Sequence, residues 1–187
     1  MWSELSKYIN NPVTLFVIGW LVIYLFLVFF IFFYRYFTLK KWIKDEKRAL
    51  NYYILKREVS ELSFLWECAS NLKTTNPVIY DGCIEEAKQE ASSGLTFLGI
   101  VASTAPFIGL FGTVVGILTA FANLKDAATL QYVAPAIADA LIATAIGILV
   151  AVPAYSFHQI LDRKVDELIA FMELEKDAYL SDETRKF

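Results

Sequence analysis

ASTAPFIGLFGTVVGILTAF at residues 102–121 and VAPAIADALIATAIGILVAVPA at residues 133–154 decide the fold of this chain. Both stretches are long, apolar and rich in Gly, Ala and Thr, and the second contains a single acid, Asp139. In lipid, small residues let helices approach closely, and an acid is costly unless it faces a polar group or a pathway. The two stretches therefore indicate the wall of a membrane pathway rather than passive anchors.

The composition of the whole chain is that of a membrane protein. Of its 187 residues, 57% are apolar and only 20% are charged, which is too apolar for an ordinary soluble domain. A net charge of −3 with no basic domain argues against nucleic-acid binding. The two cysteines, Cys68 and Cys83, fall in a segment predicted to be cytoplasmic, where thiols stay reduced. Together with the lone His158 they do not form a ligand set, so no metal and no cofactor are expected.

Three apolar runs are each long enough to cross a bilayer, which takes about 20 helical residues. Transmembrane helices are predicted at residues 13–36, 93–123 and 133–157, because unpaired backbone groups are not tolerated in lipid. The first run lacks the features of a cleaved signal peptide and is predicted to be retained. The predicted fold class is all-α, a polytopic membrane protein with three transmembrane helices and long cytoplasmic helical extensions.

Basic residues predict the orientation. Lys and Arg cluster directly after the first run, whereas residues 1–12 contain only Lys7. The positive-inside rule then predicts a periplasmic N-terminus at residues 1–12 and a periplasmic loop at residues 124–132. It also predicts a cytoplasmic helical segment at residues 37–92 and a cytoplasmic helical tail at residues 158–187.

Periodicity predicts the structure of the polar segments. Apolar residues recur at helical spacing after the first span, and the helix is expected to break at Lys73–Pro77. A second helix is predicted to begin near Ile79 and to continue into the second span. The tail is predicted to be an amphipathic extension of the third helix.

Small residues share one face on each of the second and third spans, at helical spacing. This candidate packing and pore face consists of Gly109, Gly116, Ala120, Ala140, Ala143 and Gly147. Helix packing alone explains such stripes as well as a pore does. Polar residues on the same faces favour the pore.

Three polar residues are the candidates for a proton pathway. Asp139 lies about 40° from Ala143 around the helix and therefore shares the small face, unless it only reaches the solvated end of the span. Thr113 and Thr144 fall near the middle of their spans. A threonine hydroxyl commonly hydrogen-bonds to its own helix, which is the structural alternative for both. A hydroxyl donates and accepts but carries no charge near neutral pH, so these threonines would line a path rather than titrate.

Motifs for chemical catalysis are missing from the sequence. It contains no phosphate-binding loop, no His-Glu-x-x-His and no nucleophile elbow, so an enzyme is not expected. A protein of this kind that couples energy would draw on an ion gradient, where one charge moved through 100 mV is worth about 2.3 kcal/mol.

Two motifs resemble the TolQ/ExbB/MotA proton-channel family: APFIGLFGTVVGI at residues 105–117 and ATLQYVAPAIADALIATAIG at residues 128–147. Their sequences are closer to TolQ than to ExbB. Two departures stand out. Asp139 falls where the family usually has Glu, and Val115 falls where it commonly has Trp. The resemblance implies that Thr113 and Thr144 are the channel threonines of the second and third spans.

The resemblance also implies partners and a location. It implies a homopentamer in the bacterial inner membrane, around the single spanning helices of a TolR- or ExbD-like dimer whose aspartate carries the proton. A TolA- or TonB-like protein that spans the periplasm would receive the work, in Tol-Pal envelope constriction at division or, alternatively, in TonB-dependent uptake. Two other classes remain open: a structural membrane scaffold without its own conduction, and a secondary transporter, which the lack of an inverted repeat disfavours.

Overall fold

The computed structural model describes residues 12–56, 60, 62–71, 77–122 and 130–183. Within these ranges the chain forms helices and no strands, so the predicted all-α fold class is confirmed. The helices are α1 (Pro12–Lys56), α2 (Phe64–Asn71), α3 (Pro77–Ala91), α4 (Leu95–Ala122) and α5 (Leu130–Glu183).

Three of the helices, α1, α4 and α5, are long and apolar enough to cross a membrane by length and composition. With 45 and 54 residues, α1 and α5 are about twice as long as a bilayer requires. The residues of α1 from Pro12 to Tyr34 carry no charge, and its charged residues begin at Arg35. The predicted extension of the third span is confirmed, because α5 continues without a break to Glu183.

The chain divides into two compact units. The apolar unit comprises Met1–Ile31 and Phe97–His158, and the polar unit comprises Phe32–Thr96 and Gln159–Phe187.

In the apolar unit, α4 and α5 run antiparallel and touch through their backbones. A Cβ atom on Gly109 would lie 2.7 Å from the carbonyl oxygen of Ala143, and one on Gly147 would lie 2.7 Å from that of Ala105. Only glycine permits this approach, which suits helices that cannot rely on the hydrophobic effect in lipid. The N-terminal half of α1 covers the same crossing, since a Cβ on Gly112 would lie 3.1 Å from Val17.

In the polar unit, α1 and α5 run parallel and pack through large side chains. Lys164 lies over the ring of Tyr36 at 5.3 Å, and the rings of Tyr53 and Tyr179 meet edge to face with centroids 4.5 Å apart. The apolar core of this unit includes Leu39, Ile43, Leu50, Leu161, Leu168 and Met172. Burial of such side chains from water supplies the stability here.

The connection from α3 to α4 corrects one prediction. An uninterrupted helix from near Ile79 into the second span is wrong, because α3 ends at Ala91 and α4 begins at Leu95. Gly94 in the intervening turn has φ of 85°, a conformation that a side chain would strain. Arg35 donates hydrogen bonds to the carbonyls of Glu90 and Ala91, the latter at 2.7 Å, so a cation caps the C-terminus of α3.

The cysteines correct a second prediction. The predicted cytoplasmic location favours reduced thiols, which is wrong for this structure, because Cys68 of α2 and Cys83 of α3 form a disulfide. The two helices follow each other closely in the chain, and their Cα atoms at these positions lie 6.0 Å apart, within the usual range for a disulfide. The packing of the helices sets this distance, which no rule about compartments can supply.

Candidate functional site

The crossing of α4 and α5 brings Thr113 and Thr144 onto facing helices. The Cα atom of Thr144 would lie 3.0 Å from a Cβ on Gly109, which is one helical turn before Thr113. Gly112, next to Thr113, faces Ala143 in the same way, at 3.1 Å between Cβ positions. The two threonines that the sequence selects therefore lie within about one turn of each other along the crossing.

Most hydroxyl groups near this crossing are satisfied by their own helix. Thr113 is only 8% exposed, and its hydroxyl donates to the carbonyl of Leu110 at 2.6 Å. In the described part of the apolar unit, five hydroxyls of α4 and α5 donate in this way to a carbonyl three or four residues earlier: those of Ser103, Thr104, Thr113, Thr119 and Ser156. The hydroxyl of Thr113 thus donates its hydrogen bond within its own helix, while its oxygen can still accept another hydrogen bond.

Thr144 differs from these residues. Its Oγ1 atom is buried and has no hydrogen-bond partner within the described part of the chain. A buried hydroxyl left unsatisfied costs about 1–3 kcal/mol. Thr144 therefore differs from Thr113, whose hydroxyl is satisfied by its own helix.

The small face is used for packing within one chain. Gly109, Gly116, Ala140, Ala143 and Gly147 are all buried. Gly109, Ala143 and Gly147 meet directly across the crossing of α4 and α5. That the same face also borders a pore between subunits stays a prediction. Asp139 lies in α5 and Ala120 in α4, but their side chains lie outside what the structure describes.

The chemistry available at the crossing is limited. No residue of α4 between Leu95 and Ala122 is ionisable, so this helix offers only hydroxyls and backbone groups. Hydroxyls can pass hydrogen bonds along water but cannot store a proton near neutral pH. A titrating group for proton transfer must come from α5 or from another chain.

Sequence reasoning missed a second polar cluster, which lies in the polar unit. Glu46 of α1 and Glu175 of α5 are both fully buried. Burial, and next the negative charge of Glu175, raise the pKa of Glu46 to about 8. Burial and the hydrogen bond to Glu175 also raise the pKa of Tyr179. A signal was present, since Glu46 occupies a core position with Ile43 three residues before it and Leu50 four residues after it.

Comparison with known sequences identifies the family. The sequence profile of the MotA/TolQ/ExbB proton channel family matches residues 52–174, which is more than half of the chain. The chain therefore belongs to the MotA/TolQ/ExbB proton channel family, and the resemblance seen in the sequence is confirmed.

Named relatives come from two branches of this family. The biopolymer transport protein ExbB-like 1 of Helicobacter pylori is 38% identical over 169 residues, covering 88% of this chain and 89% of the relative. The Tol-Pal system protein TolQ of Haemophilus influenzae is 55% identical over 74 residues, 38% of this chain and 32% of that protein. The biopolymer transport protein ExbB of Pseudomonas putida is 46% identical over 76 residues, 40% of this chain and 23% of that protein.

Proposed function

We propose that this chain is the proton-conducting subunit of an inner-membrane complex that uses the proton motive force to do work on an outer-membrane-directed system. The observation that carries the proposal is Thr144, a buried hydroxyl without a partner at the crossing of two apolar helices, in a chain of a proton channel family. Conduction, rather than chemical conversion of a substrate, is the activity that such a site supports.

In this proposal the proton path lies between subunits. Thr113, Thr144 and Asp139 line it, and the partner of the Thr144 hydroxyl is water or a polar group on a TolR- or ExbD-like helix held inside a homopentamer. The tight crossing of α4 and α5 keeps each subunit rigid beside that helix, because its backbone contacts leave no room to slide. The polar unit lies in the cytoplasm, the N-terminus lies in the periplasm, and a TolA- or TonB-like protein receives the work.

The higher local identity to TolQ favours a Tol-Pal role in envelope constriction at division. The alternative is ExbB-like energising of TonB-dependent uptake, which the match to ExbB-like 1 along most of the chain favours. Co-expression of the chain with a TolR-like and with an ExbD-like protein from the same genome separates the two roles. The protein that co-purifies in a defined ratio identifies the system.

Proton flux tests conduction directly. The chain and its co-purifying partner are reconstituted in liposomes with a pH-sensitive dye inside, and flux is followed after a potential is applied. Thr144→Val keeps the shape and removes the hydroxyl, so we expect a fall in flux of about tenfold or more, equivalent to about 1.4 kcal/mol. Asp139→Asn is expected to have a similar effect, whereas Thr144→Ser retains the hydroxyl and most of the flux.

The matched control is Thr104→Val. Thr104 lies on α4 and, like Thr144 of α5, belongs to the apolar unit. Its hydroxyl donates to the carbonyl of Ile100 at 2.7 Å, so flux should be unchanged. Equal flux in wild type, Thr144→Val and Asp139→Asn, with the assembly intact, would instead show that the chain is a structural scaffold.

A further inference from the structure

Two carboxyl groups face each other inside the polar unit. Glu46 on α1 and Glu175 on α5 are both 0% exposed, and their carboxyl groups lie within hydrogen-bonding reach of each other. Glutamate is almost never fully buried unless it is paired with an opposite charge. Here the partner of each glutamate is another glutamate.

Each carboxyl has one oxygen with a donor and one without. Glu46 Oε1 accepts the backbone N–H of Phe64 at 2.9 Å, and Glu175 Oε1 accepts the hydroxyl of Tyr179. The Oε2 atom of each is buried and has no hydrogen-bond partner among the described residues. Two ionised carboxylates could not satisfy each other, because neither has a hydrogen to donate.

Among the described residues, the contacts of the pair with its surroundings come from neutral side chains and a backbone N–H rather than from a cation. From α1 the indole of Trp42 faces Glu46, and directly before α2 the hydroxyl of Ser63 faces Tyr179. From α3 the ring of Tyr80 lies 6.3 Å from that of Tyr179. Tyr53, whose ring meets that of Tyr179, is also buried, as is Met172, one turn before Glu175 on α5.

The two lysines that directly follow these glutamates in the chain are engaged elsewhere. Lys176, the neighbour of Glu175, forms an ion pair with the exposed Asp81 of α3 at 2.8 Å. Lys47, the neighbour of Glu46, lies over the ring of Phe171 at 5.8 Å. These contacts direct both ammonium groups away from the carboxyl pair.

We propose that Glu46 and Glu175 form a proton-binding site that holds one proton between their Oε2 atoms at neutral pH, and that the polar unit loosens when this proton leaves. A single shared proton gives both unsatisfied Oε2 atoms a hydrogen bond and leaves the pair with one negative charge instead of two. Like charges at contact distance in a dry pocket cannot both ionise without a large penalty.

The direction of the pH effect on stability follows from the raised pKa of the buried Glu46. Burial and the charge of Glu175 raise the pKa of Glu46 to about 8, against an ordinary value of 4.5. The folded polar unit thus binds a proton that the unfolded chain releases between these two values. Its stability must fall as the pH rises from about 4.5 to about 8, with the folding equilibrium changing by up to about tenfold per pH unit.

This site is separate from the conduction proposal. Neither glutamate belongs to the apolar unit, and the site would persist even if the chain proved to be a scaffold. Its ligand is a proton from the compartment that contains the polar unit. The site therefore makes the packing of α1 against α5 in this unit responsive to the pH of that compartment.

Thermal unfolding tests the proposal. The full-length chain in lipid nanodiscs is unfolded at pH values from 5.5 to 9, and the midpoint is followed by circular dichroism. Glu46→Gln supplies a permanent amide donor to Glu175, so we expect the midpoint to lose most of the fall with pH that the wild type shows. Glu173→Gln changes an exposed glutamate on the same helix and should keep the wild-type dependence.

Infrared spectroscopy of the wild type gives an independent measurement that needs no variant to fold. The carbonyl band of a protonated carboxylic acid should be present at pH 6.5 and should disappear above pH 9. It should also be missing from Glu46→Gln, or from Glu175→Gln if the first variant does not fold. The proposal is overturned if the wild type lacks this band at pH 6.5, or if Glu46→Gln shows the same pH dependence as the wild type.

Discussion

The apolar and polar units pack long helices in opposite ways. In the apolar unit α4 and α5 touch backbone to backbone, because Gly109 and Gly147 leave no side chain between them. In the polar unit α1 and α5 are separated by whole aromatic rings, such as those of Tyr53 and Tyr179. The same helix, α5, takes part in both arrangements.

The difference follows from the solvent that each unit displaces. In lipid, apolar side chains gain little by leaving their surroundings, so association depends on close van der Waals contact between small residues. In water, each large apolar side chain contributes about 1.5–3 kcal/mol when it is buried. Large residues thus stabilise the polar unit, which in addition tolerates two buried carboxyl groups.

The largest effect is expected where the close crossing is broken. Gly109→Val places a branched side chain where even a Cβ would lie 2.7 Å from the carbonyl oxygen of Ala143. Because this neighbour is backbone and cannot move aside, we expect a loss of about 3 kcal/mol in the free energy of unfolding. Thermal unfolding in detergent micelles measures it. Gly19→Val, where nothing lies within 4 Å, is the control, and equal midpoints for the two variants would disprove the close crossing.

Next in size is the covalent link of the polar unit. The disulfide between Cys68 and Cys83 closes a loop with a sequence separation of 15, and its reduction should remove about 3 kcal/mol of stability. The thermal midpoint is compared with and without reductant, together with electrophoretic mobility under non-reducing conditions. Cys68→Ser should not respond to reductant. A wild type that also does not respond would show that the two thiols are not joined in solution.

A smaller effect is expected from one hydroxyl in the polar unit. Tyr179→Phe removes the donor to Glu175 and leaves a further buried oxygen unsatisfied, which costs about 1–3 kcal/mol. Chemical unfolding followed by tryptophan fluorescence measures the change. Tyr155→Phe, at an exposed position of α5, is expected to change stability by less than about 0.5 kcal/mol. Similar losses for both variants would contradict the structural role of Tyr179.

The smallest effect on stability is expected from replacing a glycine by alanine, and its sign should differ between the two units. Gly82 lies on α3 with nothing within 4 Å of a Cβ, so Gly82→Ala should stabilise the chain by about 0.5–1 kcal/mol through helix propensity. The same substitution at Gly109 should destabilise it. Thermal midpoints of the two variants measured side by side decide the matter, and a shift in the same direction for both would remove the contrast between the units.

The sequence predicts the spans and the small-residue face for clear physical reasons. Length, apolarity and helical spacing are local properties, so three membrane helices and the extension of α5 can be predicted without tertiary information. Counting residues along each span also places Thr113 and Thr144 near its middle. That the hydroxyl of Thr113 is satisfied while that of Thr144 is not depends on backbone geometry, which periodicity does not contain.

The features that were missed involve pairs that only folding brings together. Glu46 and Glu175 each occupy a core position in their own helix, but they are far apart in the chain, and a charged residue in an apolar stripe is normally assigned to the surface. The predicted cytoplasmic location favours reduced thiols at Cys68 and Cys83, because the sequence does not contain the distance between their helices. The turn at Gly94 separates two helices that the sequence predicts as one continuous helix.

The polar unit is built from two pieces of chain, which are separated in the sequence by residues 97–158. Residues 32–96 leave the ribosome first, while residues 159–187 follow only after both later membrane helices have been made. Until then Glu46 has no Glu175 to share a proton with, and Tyr53 has no Tyr179 to cover it. The core of this unit can therefore close only after Glu175 and Tyr179 have been made, and a premature stop upstream of Glu175 would leave an incomplete core open to proteolysis.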